Sequence, residues 1–300
     1  MSQLSYLQAV SIGLLQGVSE LFPVSSLGHS ILVPALIGGS WEQLVTQQSE
    51  SESPYLAFIV GLHVATALAL LLFFWRDWVR LIRGLFSSIA RRRIETVDEK
   101  MIWLLIIATI PAGLVGLLLE HPLRTLFAKP LAASIFLTIN GLVLFSGEFL
   151  RRRFADRDPD RPMSTDPDVT DEPGIVARIG VGSAVIIGVA QITALFAGIS
   201  RSGVTMVAGL LRGLNHEQAV RFAFLLATPI ILGAGVYKLP DLAGPLGNGI
   251  RGQVVVGSVA AFVAALISVK FLTRYFETRT LTPFAIYCVL FGGACVIYFS

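Results

Sequence analysis

Two short stretches of the chain combine polar, chemistry-bearing residues with strongly apolar surroundings. The first runs QGVSELFPVSSLGH from Gln16 to His29. Gln16 and Glu20 are four residues apart, so on a helix they share one face. A carboxylate in an apolar segment is costly and is therefore a functional candidate, and hard divalent cations prefer such oxygen ligands. We predict that Glu20 is catalytic and binds a metal ion, with or without Gln16, and that Gln16 contacts the substrate.

Ser26 and His29 lie three residues apart in the same stretch. A hydroxyl beside an imidazole is the minimal pair for an activated nucleophile, and Gly28 between them lets the backbone approach a ligand. We predict Ser26 and His29 as catalytic residues, and Ser25 and Gly28 as substrate-binding residues. A capped helix start with a hydrogen-bonded histidine is the alternative, above all for Ser25.

The second stretch runs GISRSGVT from Gly198 to Thr205. Arginine is the side chain best suited to a two-pronged grip on phosphate, and glycines beside a helix start expose N–H groups that favour an anion. We predict Arg201 as a catalytic residue. The predicted substrate-binding residues of this stretch are Ser200, Ser202, Gly203 and Thr205. The alternative is an arginine that lies at the inner membrane interface and binds lipid headgroups.

The remaining candidate residues carry weaker signals. His63 lies in the middle of an apolar segment and is interpreted as a hydrogen-bonded core residue. His121 and His216 lie near loops and are expected to be solvated. Cys288 and Cys295 are seven residues apart and are interpreted as small buried residues rather than as a disulfide. The sequence contains no Walker loop, dinucleotide fingerprint, HExxH motif or zinc spacing.

The composition shows which elements must position these residues. Hydrophobic residues make up 54% of the chain and charged residues only 14%, and the mean hydropathy is +0.73. A soluble domain carries about 25% charged residues, so the solvent of this chain is lipid. We predict an all-α polytopic membrane protein that contacts membrane lipids and no nucleic acid. The predicted transmembrane helices are 55–75, 101–119, 131–147, 218–239, 253–270 and 281–299.

Two further apolar segments, 4–38 and 175–213, are each interrupted by a polar, glycine-bearing centre. A broken backbone at membrane depth persists only where protein or trapped water satisfies it, so we interpret both as re-entrant helical hairpins. Two kinked spans in each segment are the alternative. Arginine clusters follow the first, third and fifth spans, which places those ends in the cytoplasm. The first hairpin then enters from outside and the second from inside.

The two interrupted segments also resemble each other. When the chain is shifted by 175 positions, Gly13 meets Gly188, Gln16 meets Gln191, Ser25 meets Ser200, and Gly28 meets Gly203. We predict an inverted-topology repeat in which residues 1–153 and 175–300 each form one hairpin plus three transmembrane helices. A polar cytoplasmic linker, 154–174, joins the halves. Inverted repeats bring their discontinuous helices together near the midplane, so both polar stretches should form one site.

Because it carries these two stretches in this order, the chain resembles the bacitracin-resistance type of undecaprenyl-diphosphate phosphatase over nearly its whole length. The resemblance implies a bacterial inner-membrane hydrolase that converts the lipid diphosphate to the monophosphate, recycling the carrier for peptidoglycan synthesis and conferring bacitracin resistance. It also implies a divalent cation, Mg2+ or Ca2+, and a site open to the outer face. The functional residues of the family match Glu20, Ser26, His29 and Arg201. Its further polar positions match Gln16, Ser25, Ser200, Ser202 and Thr205.

The sequence departs from the family pattern at three positions. Gln16 stands where the family has Glu or Gln, Leu27 where it commonly has a small or hydroxylic residue, and Ala197 where it commonly has Pro. None of these departures removes a core catalytic group, although Gln16 weakens the case for two carboxylates on the metal.

Several alternatives remain open from sequence. A secondary transporter or flippase for an anionic polyprenyl lipid would use the same arginine and hydroxyls to bind the headgroup without cleaving it. In a phosphatase, attack by Ser26, attack by His29 and direct attack by water are all compatible with the pattern. A second copy of the chain is a further possible partner.

Overall fold

The computed structural model describes residues 4–44, 54–127, 129–157, 171–244 and 248–300. Within these ranges the chain is helical and contains no strand. The helices are α1 (Tyr6–Ser19), α2 (Ser26–Ile37), α3 (Pro54–Phe73), α4 (Trp75–Arg91), α5 (Val97–Phe127), α6 (Pro130–Arg157), α7 (Asp171–Arg178), α8 (Val181–Ala190), α9 (Arg201–Leu211), α10 (His216–Ala243), α11 (Arg251–Thr278) and α12 (Thr282–Phe299). A short 3-10 helix, Gln191–Leu195, follows α8.

Helix length and apolarity define a multi-pass membrane protein. Within the described ranges, five helices are long and apolar enough to cross a bilayer, namely α5, α6, α10, α11 and α12. Two further pairs meet the same test only as bent units: α3 with α4 at 84°, and α7 with α8 and the 3-10 helix at 96°. The prediction of an all-α, multi-pass membrane protein is therefore confirmed. The predicted span 55–75 ends at Phe73, where the chain turns into α4.

The predicted linker 154–174 is partly helical. Helix α6 continues to Arg157 and helix α7 begins at Asp171, so both ends of the predicted linker are helical. The acidic residues Asp171 and Glu172 at the start of α7 carry the charge that the helix dipole favours at that end. Residues 158–170 lie outside the described part of the chain.

The two interrupted segments pack against the long helices. Helix α1 lies against α11, and α8 lies against α5. Both contacts are backbone to backbone, because a Cβ atom on Gly13 would overlap the Gly257 carbonyl and one on Gly188 would lie against the Ala108 carbonyl. Helices α6 and α12 pack together, and α9 packs against α6. The polar turns that end α1 and begin α9 are thereby enclosed by protein.

The two cysteines belong to this packed interior. Cys288 and Cys295 are buried, unbridged thiols on α12, which confirms the prediction made for them.

Candidate active site

Glu20 follows the last residue of α1 and is almost completely buried. Its Oε2 atom accepts hydrogen bonds from Gln16 Nε2 at 3.0 Å and from the Ser26 hydroxyl at 2.5 Å. Its Oε1 atom forms an ion pair with the guanidinium of Arg201, which lies 181 residues further along the chain. The two polar stretches therefore meet at one carboxylate, and Gln16, Glu20, Ser26 and Arg201 form a single cluster.

Ser25 shapes the turn between α1 and α2. It is a buried residue with φ 70° and ψ 102°, a conformation that L-residues other than glycine rarely adopt. Its hydroxyl accepts hydrogen bonds at 3.2 Å from the N–H of Gly28, which caps α2, and of Gly198 in the second stretch. Ser25 therefore caps α2, as the alternative interpretation of the sequence expected. Its contact with substrate stays a prediction.

His29 lies on α2 with both ring nitrogens engaged. Nδ1 is 2.7 Å from the Ser25 carbonyl oxygen, and Nε2 is 2.8 Å from the Tyr287 hydroxyl of α12. The structure therefore does not pair Ser26 with His29, and their catalytic roles stay predictions. The spacing placed both residues near one face, but the ring of His29 turns towards α12, whereas the Ser26 hydroxyl turns towards Glu20.

His63 of α3 also joins the cluster, a position that the sequence did not predict. Its Nδ1 contacts the Ile59 carbonyl oxygen at 2.9 Å, and its Nε2 lies 3.4 Å from Glu20 Oε2. The Ile59 contact is the core hydrogen bond that the sequence suggested. The available signal was an ionisable side chain in the middle of an apolar helix, since such residues in membrane segments usually face functional sites.

Asn140 of α6 is a second residue that the sequence analysis missed. Its side chain is fully buried and bridges the two stretches, because Nδ2 donates to the Pro23 carbonyl at 3.0 Å and Oδ1 accepts from the Ser200 N–H at 2.9 Å. The only sequence signal was one amide side chain in an apolar span, and such a residue is compatible with an ordinary hydrogen bond between helices.

The hydroxyls of the second stretch serve its local structure. Ser200 Oγ accepts from the Gly203 N–H at 3.1 Å and so caps α9, and it lies 3.0 Å from Ser202 Oγ. Ser202 also donates to the Phe22 carbonyl at 3.2 Å, which adds a second link between the stretches. Thr205 donates to the Arg201 carbonyl one turn earlier in its own helix.

Two glycines let the stretches approach each other closely. A Cβ atom on Gly28 would lie 2.9 Å from the Cα atom of Gly198, and one on Gly203 would lie 3.3 Å from the Cβ atom of Pro23. Gly198 itself has φ +113°, which is available to glycine. These glycines fit the two turns together, and their contact with substrate stays a prediction.

His216 was wrongly predicted to be solvated. Its side chain is 13% exposed, and Nε2 lies 2.5 Å from Glu148 Oε1. The same carboxylate oxygen accepts from the Leu281 N–H at 2.8 Å, so the pair joins α6, α10 and the start of α12. The side chain of His121 lies outside the described part of the chain.

Fold and site together define a class, a polytopic helical membrane protein with an enclosed carboxylate, hydroxyl and guanidinium cluster. The family model described as bacitracin resistance protein BacA matches residues 9–294. The chain belongs to this family.

Curated relatives match the chain over nearly their full lengths. An undecaprenyl-diphosphatase of Mycolicibacterium paratuberculosis is 57% identical, with 100% of this chain and 99% of the relative covered. The undecaprenyl-diphosphatase 2 of Frankia alni is 53% identical, with 100% and 99% covered. An undecaprenyl-diphosphatase of Granulibacter bethesdensis is 43% identical, with 95% and 94% covered.

Proposed function

We propose that this protein hydrolyses undecaprenyl diphosphate to undecaprenyl phosphate and inorganic phosphate. The observation that carries the proposal is the contact of one buried carboxylate, Glu20, with both the Ser26 hydroxyl and the Arg201 guanidinium. Membership of the BacA family and the similarity to undecaprenyl-diphosphatases support it. The reaction would recycle the lipid carrier for peptidoglycan synthesis and confer resistance to bacitracin.

Arg201 is the anchor for the diphosphate. It stands at the start of α9, where the first N–H groups of a helix lack intrahelical acceptors and the helix dipole favours an anion. The guanidinium pairs with Glu20, and a phosphate oxygen would compete for that pairing. The exchange would leave the carboxylate on the Ser26 side of the cluster, ready to accept a proton.

Ser26 is the nucleophile that the geometry favours. Its hydroxyl proton is directed at Glu20, so transfer to that carboxylate would accompany formation of a bond between Oγ and the terminal phosphorus. The bond to the bridging oxygen breaks, and undecaprenyl phosphate leaves. Water then hydrolyses the phosphoserine to inorganic phosphate, and Ser26 regains its proton. His29 is less suited to attack, because both ring nitrogens are engaged.

We also propose a divalent cation, held by the protein together with the substrate phosphates. Among the described residues, no group of three or more His, Cys, Asp or Glu side chains could hold a metal ion by itself. Mg2+ is often held by one or two carboxylates together with substrate phosphates, and Glu20 would supply the carboxylate. Gln16, whose Nε2 faces Glu20, would have to turn its amide oxygen to the ion. When bound, the cation would neutralise charge on the diphosphate. We therefore expect it to arrive with the substrate.

The inverted repeat and the membrane sides are also proposals. The packing supports the repeat, because α1 lies against the second long helix of the opposite half, α11, and α8 lies reciprocally against α5. By the positive-inside rule, the arginine clusters support an orientation in which the polar turn of the first hairpin lies towards the outer side of the inner membrane. With this orientation we propose that 4–38 and 175–213 are re-entrant and that the site faces outward.

The test is phosphate release from a polyprenyl diphosphate by the purified protein in detergent with Mg2+ or Ca2+. We expect turnover by the wild type and by Arg152→Ala, a control at an exposed arginine. Arg201→Ala and Glu20→Ala should lose turnover while remaining folded. Binding of the lipid without phosphate release by the wild type would instead support the transporter, which the family and the relatives do not favour.

A further inference from the structure

An aromatic face of α12 encloses the imidazole of His29. Tyr287 and Phe291 are four residues apart and share one face of that helix. The ring of His29 stacks on Tyr287 with 5.7 Å between centroids and on Phe291 with 5.5 Å. His29 is 4% exposed and Tyr287 42% exposed, so the tyrosine covers the imidazole and reaches the surface of the helix bundle.

The two hydrogen bonds of His29 restrict where its protons lie. A backbone carbonyl can only accept, so Nδ1, at 2.7 Å from the Ser25 carbonyl oxygen, must carry a proton. This excludes the neutral tautomer that is protonated on Nε2 alone. The Tyr287 hydroxyl, at 2.8 Å from Nε2, can donate to a neutral ring or accept from a charged one.

The Nδ1 hydrogen bond holds the most strained residue of the site. Ser25 has φ 70°, and such a conformation persists only where the surrounding contacts determine it. Ser26 is the next residue, and its hydroxyl lies 2.5 Å from Glu20. Tyr287 is therefore connected through His29 and Ser25 to Ser26, the nucleophile of the proposed reaction.

We propose that Tyr287 is a positioning residue of the active site: its hydroxyl orients His29 so that Nδ1–H holds the Ser25 carbonyl and aligns Ser26 on Glu20. This inference rests on the proposed phosphatase function. Tyr287 touches neither Glu20 nor Arg201 in the described structure, so it acts through His29. Because the phosphate anchor is untouched, Tyr287 should affect turnover rather than substrate affinity.

The test compares Tyr287→Phe with Tyr298→Phe, a control on the same helix whose ring is 67% exposed. Loss of one hydrogen bond predicts a kcat for Tyr287→Phe that is lower by about tenfold, with an unchanged KM. Tyr298→Phe should keep both parameters. In a His29→Gln background, Tyr287→Phe should cause no further loss of kcat. An unchanged kcat in Tyr287→Phe, or equal losses with and without His29, would overturn the proposal.

Nitrogen-15 NMR of labelled histidine gives a readout that does not depend on turnover. The chain has four histidines, and His29→Gln identifies the His29 signals. We expect a protonated Nδ1 on His29, and a displacement of its Nε2 resonance in Tyr287→Phe but not in Tyr298→Phe. An undisplaced Nε2 resonance would refute the contact. If the wild type releases no phosphate, the proposed function fails while this experiment still decides whether Tyr287 orients His29.

Discussion

Replacement of Asn140 by leucine tests whether one buried amide holds the two halves of the site together. Leucine has the same number of side-chain heavy atoms but no polar ones, so the Pro23 carbonyl and the Ser200 N–H would each lose the hydrogen bond to Asn140. Interhelical polar contacts in membrane proteins contribute about 0.6 kcal/mol on average and about 1.7 kcal/mol at most. Two such contacts predict a loss of about 1 to 3 kcal/mol in the free energy of unfolding.

Turnover should respond more strongly than stability. The two hydrogen bonds set the distance between the turn that carries Glu20 and Ser26 and the helix start that carries Arg201. Displacement of catalytic groups by about 1 Å can reduce rates about a hundredfold. We therefore expect phosphate release by Asn140→Leu to fall by about one to two orders of magnitude.

The assay pairs unfolding in a graded detergent mixture with initial rates of phosphate release. Thr138→Val is the matched control, since its hydroxyl on the same helix donates only within α6, to the Ser134 carbonyl. We expect that variant to stay close to the wild type in both measurements. The reasoning would be refuted if Asn140→Leu matched the control in stability and in rate.

Three further outcomes are expected. Ser26→Ala should abolish phosphate release but still bind the lipid diphosphate. Rapid quenching of the wild type should trap phosphoserine on peptide 20–30. Incorporation of water oxygen into phosphate without that intermediate would exclude attack by Ser26. EDTA should stop turnover without changing the melting temperature of the protein, and Mg2+ or Ca2+ should restore turnover. A lower melting temperature in EDTA would indicate a structural ion instead. Gly28→Ala should lower kcat strongly, because its methyl group would lie 2.9 Å from the Gly198 Cα atom. The control Gly233→Ala should be neutral, because a Cβ atom there meets nothing within 4 Å. Equal rates for the two variants would show that the turns do not need this close approach.

Sequence predicted the chemical groups of the site because residue type determines what they can do. Glu20 and Arg201 are ionisable side chains in apolar segments, and the internal repeat indicated that the two stretches converge. The structure brings both residues into one ion pair.

Sequence could not predict which polar groups are partners. Ser26 and His29 have the spacing of a pair, but side-chain direction sends one towards Glu20 and the other towards α12. Asn140 and Tyr287 come from long apolar helices, where one polar residue reveals neither its neighbours nor its depth. Their roles depend on the packing of helices that are distant in the chain.

The most direct test is an experimental structure of the protein in lipid with a non-hydrolysable diphosphate analogue of the polyprenyl substrate. The account predicts that Arg201 binds the terminal phosphate and that Ser26 Oγ faces the same phosphorus, with Glu20 beside it. An analogue bound elsewhere, or bound by Arg201 in a compartment that Glu20 and Ser26 do not reach, would contradict it.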